Sequence, residues 1–365
     1  MPLACRRVCY DSRVMKIALL GLQGAGKKTL FQLLTGISVP TVGPKGVPGI
    51  CEVKDPRVAA LSELYKPEKT IQARIELLLL PDVEKTQGKA AWLEDVRNLE
   101  GICCAVRAFE DAGVYHPLGS VDPKRDLDLF FSELLFADML LMERRKDKLT
   151  SETRVKKTPE KDRELKAVEK ALAELESGKP MRAAALNQAE REALAGYQFL
   201  TAKAVAGAVN LTQGSGSEAQ RAALEREFGG RMSLSFFDAK LEAEIAAMSD
   251  PAERKEFLDG LGIDEPAVAK LTRAVYAALG LMSFFTVGPD EVRAWAVRKG
   301  STAPQAARAI HTDLERGFIR AEVMKYADLI GLGSEAKVKE AGRFSLKGKD
   351  YVVEEGDILN IRAAN

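Results

Sequence analysis

The residues best suited to chemistry lie in a glycine-rich stretch near the N-terminus. Gly21, Gly26 and Lys27 fit the pattern G-x-x-x-x-G-K-[ST], in which backbone N–H groups and one lysine surround phosphate oxygens. The last position of the pattern is Lys28, where a hydroxyl residue normally binds Mg²⁺. An ammonium group has donors but no lone pair for a metal. The stretch therefore predicts a phosphate-binding loop that lacks one metal ligand.

The flanking residues predict the elements that must position this loop. An apolar run at residues 17–20 precedes it, and apolar residues recur at helical spacing over residues 30–34. This is the strand, loop and helix context that a phosphate-binding loop requires. Thr29 lies roughly a hundred degrees around the helix axis from Lys28, so its hydroxyl cannot simply replace the missing one.

Composition sets the class of protein. The 365 residues are 46% hydrophobic and 29% charged, which is typical of a globular protein and long enough for two or three domains. A net charge of +1 gives no overall attraction to nucleic acid. No stretch predicts a membrane span, and residues 1–14 lack the apolar segment of a secretory signal, although Met15 is a second candidate start. Five cysteines without zinc spacing favour reduced thiols, so we expect a cytoplasmic protein.

Two segments are candidates for the rest of a nucleotide site. Residues 36–56 are rich in Gly and Pro and are predicted to be a loop. Thr41 is the only threonine in this segment, and it is either a magnesium ligand or a loop residue without that role. Residues 75–80 are an apolar run that predicts a buried strand, ending in Pro81 and Asp82. Asp82 is either a metal ligand or a surface residue that closes the strand. No glycine follows it at the spacing that brings a backbone amide to a γ-phosphate.

Longer motifs carry a resemblance to a known family. They are the phosphate-binding loop, RAFED, a histidine followed by GSVDPKRD, and FFTVGPDEVRAWAVRKGSTAPQAARAIHTDLERGFIRAEV near the C-terminus. Over about residues 15–362, the chain resembles the YchF subgroup of the Obg-like P-loop NTPases. The resemblance implies an α/β protein: a doubly wound, mainly parallel sheet, an inserted antiparallel helical hairpin, and a C-terminal ubiquitin-like (TGS, β-grasp) α+β domain. It also implies binding of ATP or GTP and association with ribosomes.

The sequence agrees with that order of domains. Apolar residues recur at helical spacing between residues 128 and 200, with few turn signals, which predicts two long antiparallel helices. Short apolar runs at 102–106, 204–209 and 234–237 predict further strands of the sheet. The expected division is a G domain in two parts (15–127 and 201–279), a helical insertion (128–200) and a TGS domain (280–365).

The C-terminal block has its own signals. Residues 292–297 alternate as in a strand, residues 303–314 are predicted to be helical, and residues 349–353 and 358–362 are predicted to be short strands. Its Lys and Arg residues form a basic surface with few aromatic residues between them, which favours contact with phosphate over base stacking.

The resemblance assigns base recognition to two loops. The family motif N-x-x-E corresponds to Asn210 and, in place of the carboxylate, Gln213. An amide offers donors and an acceptor, so adenine is possible and strong guanine selection is not expected. The family motif S-A-K corresponds to a loop that starts at Asp238, where the amide of Ala239 would meet the base. His116 matches a loop histidine that helps to position water in the family; the alternative is a loop histidine with no catalytic task.

Together these features predict a site and leave two functions open. Missing groups at the metal, switch and base positions argue against efficient phosphoryl transfer. Either the chain is a slow ATPase or GTPase that changes its ribosome contacts with nucleotide state, or it is a non-catalytic scaffold. The predicted nucleotide-binding residues are Gly21, Gly24, Ala25, Gly26, Lys27, Lys28, Thr29, Asn210, Gln213 and Ala239, with Asp82 for a metal and His116 for catalysis.

The helical insertion carries a local excess of positive charge. Residues 143–170 contain eleven Lys or Arg against seven Asp or Glu. Such a run is either a solvated helix face or an arm that contacts RNA. The expected partners are therefore a nucleotide and the ribosome or its RNA, with no membrane, and the expected state is a monomer.

Overall fold

The described part of the chain forms two compact units. The computed structural model describes residues 15–83, 92–212, 216–263 and 265–364. One unit contains Ile17–Cys51 and Leu77–Gly280, and the other contains Glu52–Glu76 and the chain from Leu281 onward. The domain boundaries expected from the sequence stay a prediction, and this grouping differs from them at Glu52–Glu76.

The strands form two sheets. They are β1 (Met15–Gly21), β2 (Val47–Val53), β3 (Lys69–Ile71), β4 (Ala73–Leu79), β5 (Gly101–Arg107), β6 (Ala204–Asn210), β7 (Ser233–Phe237), β8 (Leu281–Thr286), β9 (Glu291–Arg298), β10 (Phe318–Lys325), β11 (Ser345–Lys347) and β12 (Asp357–Ala363). The first sheet has the order β2-β4-β1-β5-β6-β7, and the second has the order β11-β10-β12-β8-β9-β3.

The helices lie between the strands along the chain, singly or in short series. They are α1 (Lys27–Thr35), α2 (Pro56–Tyr65), α3 (Trp92–Arg97), α4 (Pro123–Val155), α5 (Pro159–Glu176), α6 (Gln188–Leu194), α7 (Glu218–Phe228), α8 (Ala239–Ala247), α9 (Pro251–Gly260), α10 (Ala267–Ala278), α11 (Ala303–Ile310), α12 (Thr312–Arg316), α13 (Tyr326–Leu332) and α14 (Glu335–Glu340). None of the helices in the described residues is both long and apolar enough to cross a bilayer.

The first sheet confirms the predicted α/β architecture. Strands β1 and β5, β5 and β6, and β6 and β7 pair in parallel. Every residue of β5 is buried, as expected for a strand covered on both faces. Because the strands are parallel, the loops that follow β1, β6 and β7 meet at one edge of the sheet, where ligands bind in folds of this kind.

The prediction that residues 36–56 form only a loop is wrong. Val47–Val53 forms strand β2, whose buried residues alternate with exposed or partly exposed ones. Its Gly and Pro content concealed this alternation. The strand lies at the end of the sheet order, where Pro48 is tolerated because one side of the strand needs no hydrogen-bonding partner.

The helical hairpin is confirmed, but its second helix is shorter than predicted. Both α4 and α5 start with a proline and a side-chain cap, Asp122 accepting from the Arg125 N–H and Thr158 from the Lys161 N–H. Apolar side chains bury the contact between the two helices. Helix α5 ends at Glu176 because Gly178 adopts a left-handed φ of 81° and a proline follows soon after. The chain then returns through a short 3₁₀ turn and α6.

The second sheet has the strand order of a β-grasp domain. Strands β8 and β9 form an antiparallel hairpin, β12 lies parallel to β8, and β10 pairs antiparallel with β12. Helix α11 buries Ala303, Ala306 and Ala307 in the core of this unit. Strand β3, from the N-terminal part of the sequence, extends the sheet by pairing in parallel with β9. This pairing explains why Glu52–Glu76 belongs to the C-terminal unit.

Two local predictions in this unit need correction. Residues 349–353 are not a strand, since they contain only an isolated bridge between Thr302 and Val352. The helix predicted over residues 303–314 is broken at His311, whose extended backbone ends α11 and begins α12. Its Nδ1 accepts the Asp313 N–H, a capping role for which sequence periodicity carries no signal. The strands predicted at 292–297 and 358–362 are confirmed as β9 and β12.

A buried aspartate attaches the helical hairpin to the strand that follows it. Asp138, on α4, is fully buried and accepts hydrogen bonds from the Leu200 N–H (2.9 Å), the Thr201 N–H (2.8 Å) and the Thr201 hydroxyl (2.7 Å). Burial raises the pKa of this carboxyl, and the three donors oppose that rise. The contact positions the chain just before β6, whose end forms part of the candidate site.

We predict that Asp138→Ala lowers the free energy of unfolding by about 3 kcal/mol, because it leaves buried donors without acceptors. Urea unfolding of the full chain measures this change. The control Asp147→Ala removes an exposed carboxylate from the same helix and is expected to change stability by less than about 0.5 kcal/mol. Equal losses in the two variants would contradict the anchoring role.

Candidate functional site

A cavity of about 830 Å³ lies at the edge of the first sheet where the loops converge. It is lined by the glycine-rich loop, the start of α1, and the segments that follow β4, β5, β6 and β7. Predicted site residues that line it are Gly24, Ala25, Gly26, Lys27, Lys28, Thr29, Asp82, Asn210 and Ala239. Gly21 and His116 are not among the lining residues, and Gln213 lies outside the described residues.

The backbone of the loop is shaped for close approach. Gly24 and Gly26 have left-handed φ angles of 78° and 87°. A Cβ added at Gly26 would overlap Nδ2 of Asn210, so only glycine fits beside this amide. Helix α1 starts at Lys27, directly after Gly26, and no side chain caps it. Its first N–H groups are thus available to an anion, which is the arrangement of phosphate-binding loops.

Lys27 is the buried cation of the site. Its side chain is 5% exposed, and its Nζ donates to the Gly21 carbonyl (2.9 Å) and to Oδ1 of Asp82 (2.5 Å). Burial lowers the pKa of Lys27, while the hydrogen bond and charge of Asp82 oppose this effect. Asp82 therefore lies next to the lysine of the phosphate-binding loop, with about half of its side chain exposed.

Lys28 also lines the cavity, beside the segment that contains Thr41. Its side chain is exposed, and Nζ donates to the Pro40 carbonyl at 2.6 Å, which ties α1 to the segment before β2. Thr41, the residue after Pro40, also lines the cavity. The described residues contain no group of three His, Cys, Asp or Glu side chains that could hold a metal by protein ligands alone. Mg²⁺ at a phosphate-binding loop needs only one or two protein oxygens beside the phosphates, and the donor-only ammonium of Lys28 does not fit the oxygen ligand that this position normally supplies.

Asn210 joins three of the segments that form the cavity. Its side chain is almost fully buried, its Oδ1 accepts the Ala239 N–H (3.0 Å), and its Nδ2 donates to the Ala25 carbonyl (3.3 Å). The prediction that Asn210 ties the loops together describes this geometry. The Ala239 amide was expected to meet a base, but in the structure it bonds to Asn210. Asp238 caps α8 by accepting the N–H groups of Lys240 and Leu241.

His116 is placed outside the cavity lining and is held on both sides. The imidazole is 7% exposed, with Nε2 at 3.0 Å from Oδ2 of Asp126 and Nδ1 accepting the Leu118 N–H at 3.2 Å. Acceptance at Nδ1 assigns the proton to Nε2, so Asp126 is the acceptor. Both ring nitrogens are occupied by these contacts, and the catalytic role expected for His116 stays a prediction.

Sequence reasoning missed Arg107. Its guanidinium is 1% exposed and donates to the carbonyls of Phe109 (2.8 Å), Asp111 (3.1 Å) and Val114 (2.8 Å). It thereby shapes the loop after β5, which forms one wall of the cavity. The motif RAFED contained this arginine, but a positive charge at the end of a buried strand gives no sequence signal that distinguishes a surface residue from a loop organiser.

These features define the class of protein. A parallel sheet, a glycine-rich loop between β1 and α1, and two further loops at the same edge make this chain a P-loop NTPase fold with a helical insertion and a C-terminal β-grasp unit. Because two relatives of the YchF family are 36% and 35% identical to this chain over nearly its whole length, the chain belongs to that family.

Known relatives support this assignment along nearly the whole chain. It is 36% identical over 361 residues to "Ribosome-binding ATPase YchF" of Haemophilus influenzae, covering 95% of this chain and 98% of the relative. It is 37% identical over 365 residues to "Obg-like ATPase 1" of Oryza sativa subsp. japonica, covering 94% and 91%. The family model YchF-GTPase_C, described as "Protein of unknown function (DUF933)", matches residues 281–364.

A solved structure supports the same assignment. The YchF GTPase of Schizosaccharomyces pombe superposes with a TM-score of 0.83 at 30% identity, covering 96% of this chain and 98% of that one. A GTP-binding protein of Pyrococcus horikoshii, at 19% identity and a TM-score of 0.58, shares the fold.

We predict that Gly26→Ala destabilises the protein by about 2 kcal/mol, because alanine is strained at this φ and its methyl group displaces the Asn210 amide. Urea unfolding measures the change. Gly43→Ala is the matched control, since a Cβ there meets open space and its φ is not left-handed. An unchanged unfolding midpoint in Gly26→Ala would contradict the proposed packing of Asn210 on the loop.

Proposed function

We propose that this chain is a nucleotide-binding YchF protein that associates with the ribosome and hydrolyses nucleotide slowly or not at all. The observation that carries the proposal is the cavity in which the glycine-rich loop, Lys27 and the Asn210-linked loops meet. The printed names of its relatives, ribosome-binding ATPase and Obg-like ATPase, support the same function.

The proposed roles follow from the geometry. Backbone N–H groups of residues 24–29 hold the phosphates. Lys27 exchanges Asp82 for phosphate oxygens, which are strong acceptors for a buried ammonium. Asn210 holds the start of α8, after β7, next to the glycine-rich loop. We propose ATP or GTP without strong selection for guanine, on the basis of the amide at Gln213, which lies outside the described residues.

Weak hydrolysis is proposed from the groups that phosphoryl transfer requires. Efficient transfer depends on positioning and on charge neutralisation, with Mg²⁺ bridging the phosphates. Lys28 stands where its hydroxyl ligand would be, and Asp82 is paired with Lys27. His116 is held by Asp126 rather than directed into the cavity. The metal role of Asp82 and the catalytic role of His116 remain predictions that these contacts do not favour.

The alternative is a non-catalytic scaffold. The contact between Lys27 and Asp82 favours it, because this ion pair satisfies the buried ammonium within the protein. In this alternative the helical hairpin and the TGS domain bind ribosome or RNA whether or not nucleotide is bound. We propose the same four-part domain order and a cytoplasmic monomer for both alternatives.

The tip of the hairpin is the proposed contact with ribosomal RNA. Val155, the last residue of α4, is 90% exposed and stands between exposed basic residues. Arg145 is paired with Glu164 and Lys170 with Glu190 further from the tip, and Lys157 is paired with Asp162 at the tip itself. Arg154 and Lys156, on either side of Val155, are exposed. An exposed basic surface favours phosphate contact.

We predict that Lys27→Ala weakens binding of fluorescent ATP and GTP analogues by at least about tenfold, because it removes a charge-assisted hydrogen bond to phosphate. Equilibrium titration measures this. Lys166→Ala, which removes an exposed lysine of α5, is the control and is expected to bind as the wild type does. Phosphate release measured in parallel separates the alternatives: Mg²⁺-dependent turnover that disappears in Lys27→Ala would overturn the scaffold function.

We predict that the protein co-sediments with ribosomes and that retention falls as salt is raised, because phosphate contacts release counterions. A variant with the basic residues around the tip replaced by glutamine is expected to lose retention at lower salt than the wild type. Replacing the paired Lys170 alone is the control. Absence of retention even at low salt would contradict ribosome association. The altered residues are Arg154 and Lys156, since Lys157 is paired with Asp162.

A further inference from the structure

Lys28 is a hydrogen-bond donor at a position where a phosphate-binding loop normally has an oxygen ligand. A hydroxyl residue at this position lends oxygen lone pairs to a divalent cation. Lys28 instead brings its own positive charge and three N–H donors to the cavity. It is the second residue of α1, directly after the lysine of the phosphate-binding loop. The two ammonium groups therefore leave the same turn of helix.

The partners of Lys28 and Lys27 differ in charge. Lys27 is buried and contacts the carboxylate of Asp82. Lys28 is exposed, and its hydrogen bond goes to a neutral acceptor, the Pro40 carbonyl. A phosphate oxygen is a stronger acceptor for an ammonium than a carbonyl is, because both partners are then charged. Lys28 thus gains by turning from Pro40 to a phosphate that lies in the cavity.

The residue that replaces the hydroxyl offers no substitute metal ligand. In the structure Oδ1 of Asp82 lies 2.5 Å from Nζ of Lys27. When Lys27 turns to phosphate, Asp82 is a single carboxylate, and the oxygen that position 28 normally gives to the metal is still missing. A polyphosphate still needs its charge compensated in order to leave water.

We propose that the ammonium of Lys28 takes the place of Mg²⁺ at the polyphosphate of a bound nucleoside triphosphate, so that this chain binds its nucleotide without a divalent cation. The inference rests on the proposed nucleotide binding and goes beyond it. Lys27 contacts the phosphates from the buried side of the loop, and Lys28 contacts them from the exposed side. A lysine neutralises charge but lends no oxygen for orienting water, which also accounts for slow or absent hydrolysis.

The test is equilibrium binding of fluorescent ATP and GTP analogues to the full chain, in excess Mg²⁺ and in EDTA. The wild type is expected to bind with affinities that agree within about threefold in the two conditions. Lys28→Ser is expected to lose at least about tenfold in EDTA, the loss of one charge-assisted hydrogen bond, and to recover affinity when Mg²⁺ is added. Lys28→Arg keeps the charge and is expected to bind in EDTA as the wild type does.

Controls make the outcomes distinct. Lys166→Ser removes the same charge from an exposed site on α5 and is expected to leave binding unchanged. Urea unfolding checks that Lys28→Ser is folded, and Lys28→Gln is a second neutral variant. Wild-type affinity that falls about tenfold or more in EDTA would overturn the inference and keep the nucleotide function. So would Lys28→Ser binding as tightly as the wild type in EDTA. A wild type that binds no nucleotide in either condition would overturn the proposed function itself.

Discussion

A buried ammonium group governs the site. Lys27 is almost completely excluded from solvent, and a buried charge is stable only with partners close at hand. The Gly21 carbonyl and the Asp82 carboxylate supply them, from the start of the glycine-rich loop and from the segment after β4. Both contacts draw chain segments towards Lys27. These two contacts fix the part of the cavity around Lys27, where the glycine-rich loop, the start of α1 and the segment after β4 meet.

Asn210 is a second buried polar residue that joins segments of the site. Asn210 uses its carbonyl oxygen for the start of α8 and its amide nitrogen for the glycine-rich loop. A carboxylate in its place would lose the donor, and a small residue would lose both contacts. Arg107 likewise holds the loop after β5, by donating hydrogen bonds to three of its carbonyls. Three buried polar side chains thus organise the site, and only Lys27 among them belongs to the chemistry of phosphate.

Lys28 separates the architecture of the site from its usual reaction. The side chain at this position is exposed and bonds to the Pro40 carbonyl. It takes no part in the bonds of Lys27 and Asn210 that join the loops of the site. Metal-assisted transfer does depend on it, because the metal needs an oxygen ligand there. The fold of the YchF family can therefore persist while the chemistry of the site changes from metal-assisted to lysine-assisted binding.

Some features were determined by the sequence alone. The apolar run before Gly21 and the spacing after Lys27 specify strand β1 and helix α1 locally, and the continuous apolar runs specify β4, β5 and β6. Local signals were sufficient because the strands are continuous apolar runs and the helix repeats its apolar residues at helical spacing. Where Gly and Pro interrupt the pattern, as in β2, the period is hidden and the strand was missed. The pairing of β3 with β9 joins residues far apart in sequence, and no local pattern encodes it.

The contacts of the site were decided by tertiary structure. Sequence motifs predicted Lys27, Asn210 and Asp82 as site residues, and all three line the cavity. The motifs did not predict that Asp82 pairs with Lys27 or that Asn210 accepts the Ala239 N–H. His116 shows the same limit, since its motif suggested water positioning and its neighbours Asp126 and Leu118 hold both ring nitrogens. A residue type specifies which hydrogen bonds a side chain can make. Only the fold decides which partner lies within about 3 Å of it, because that depends on segments brought together from distant parts of the chain.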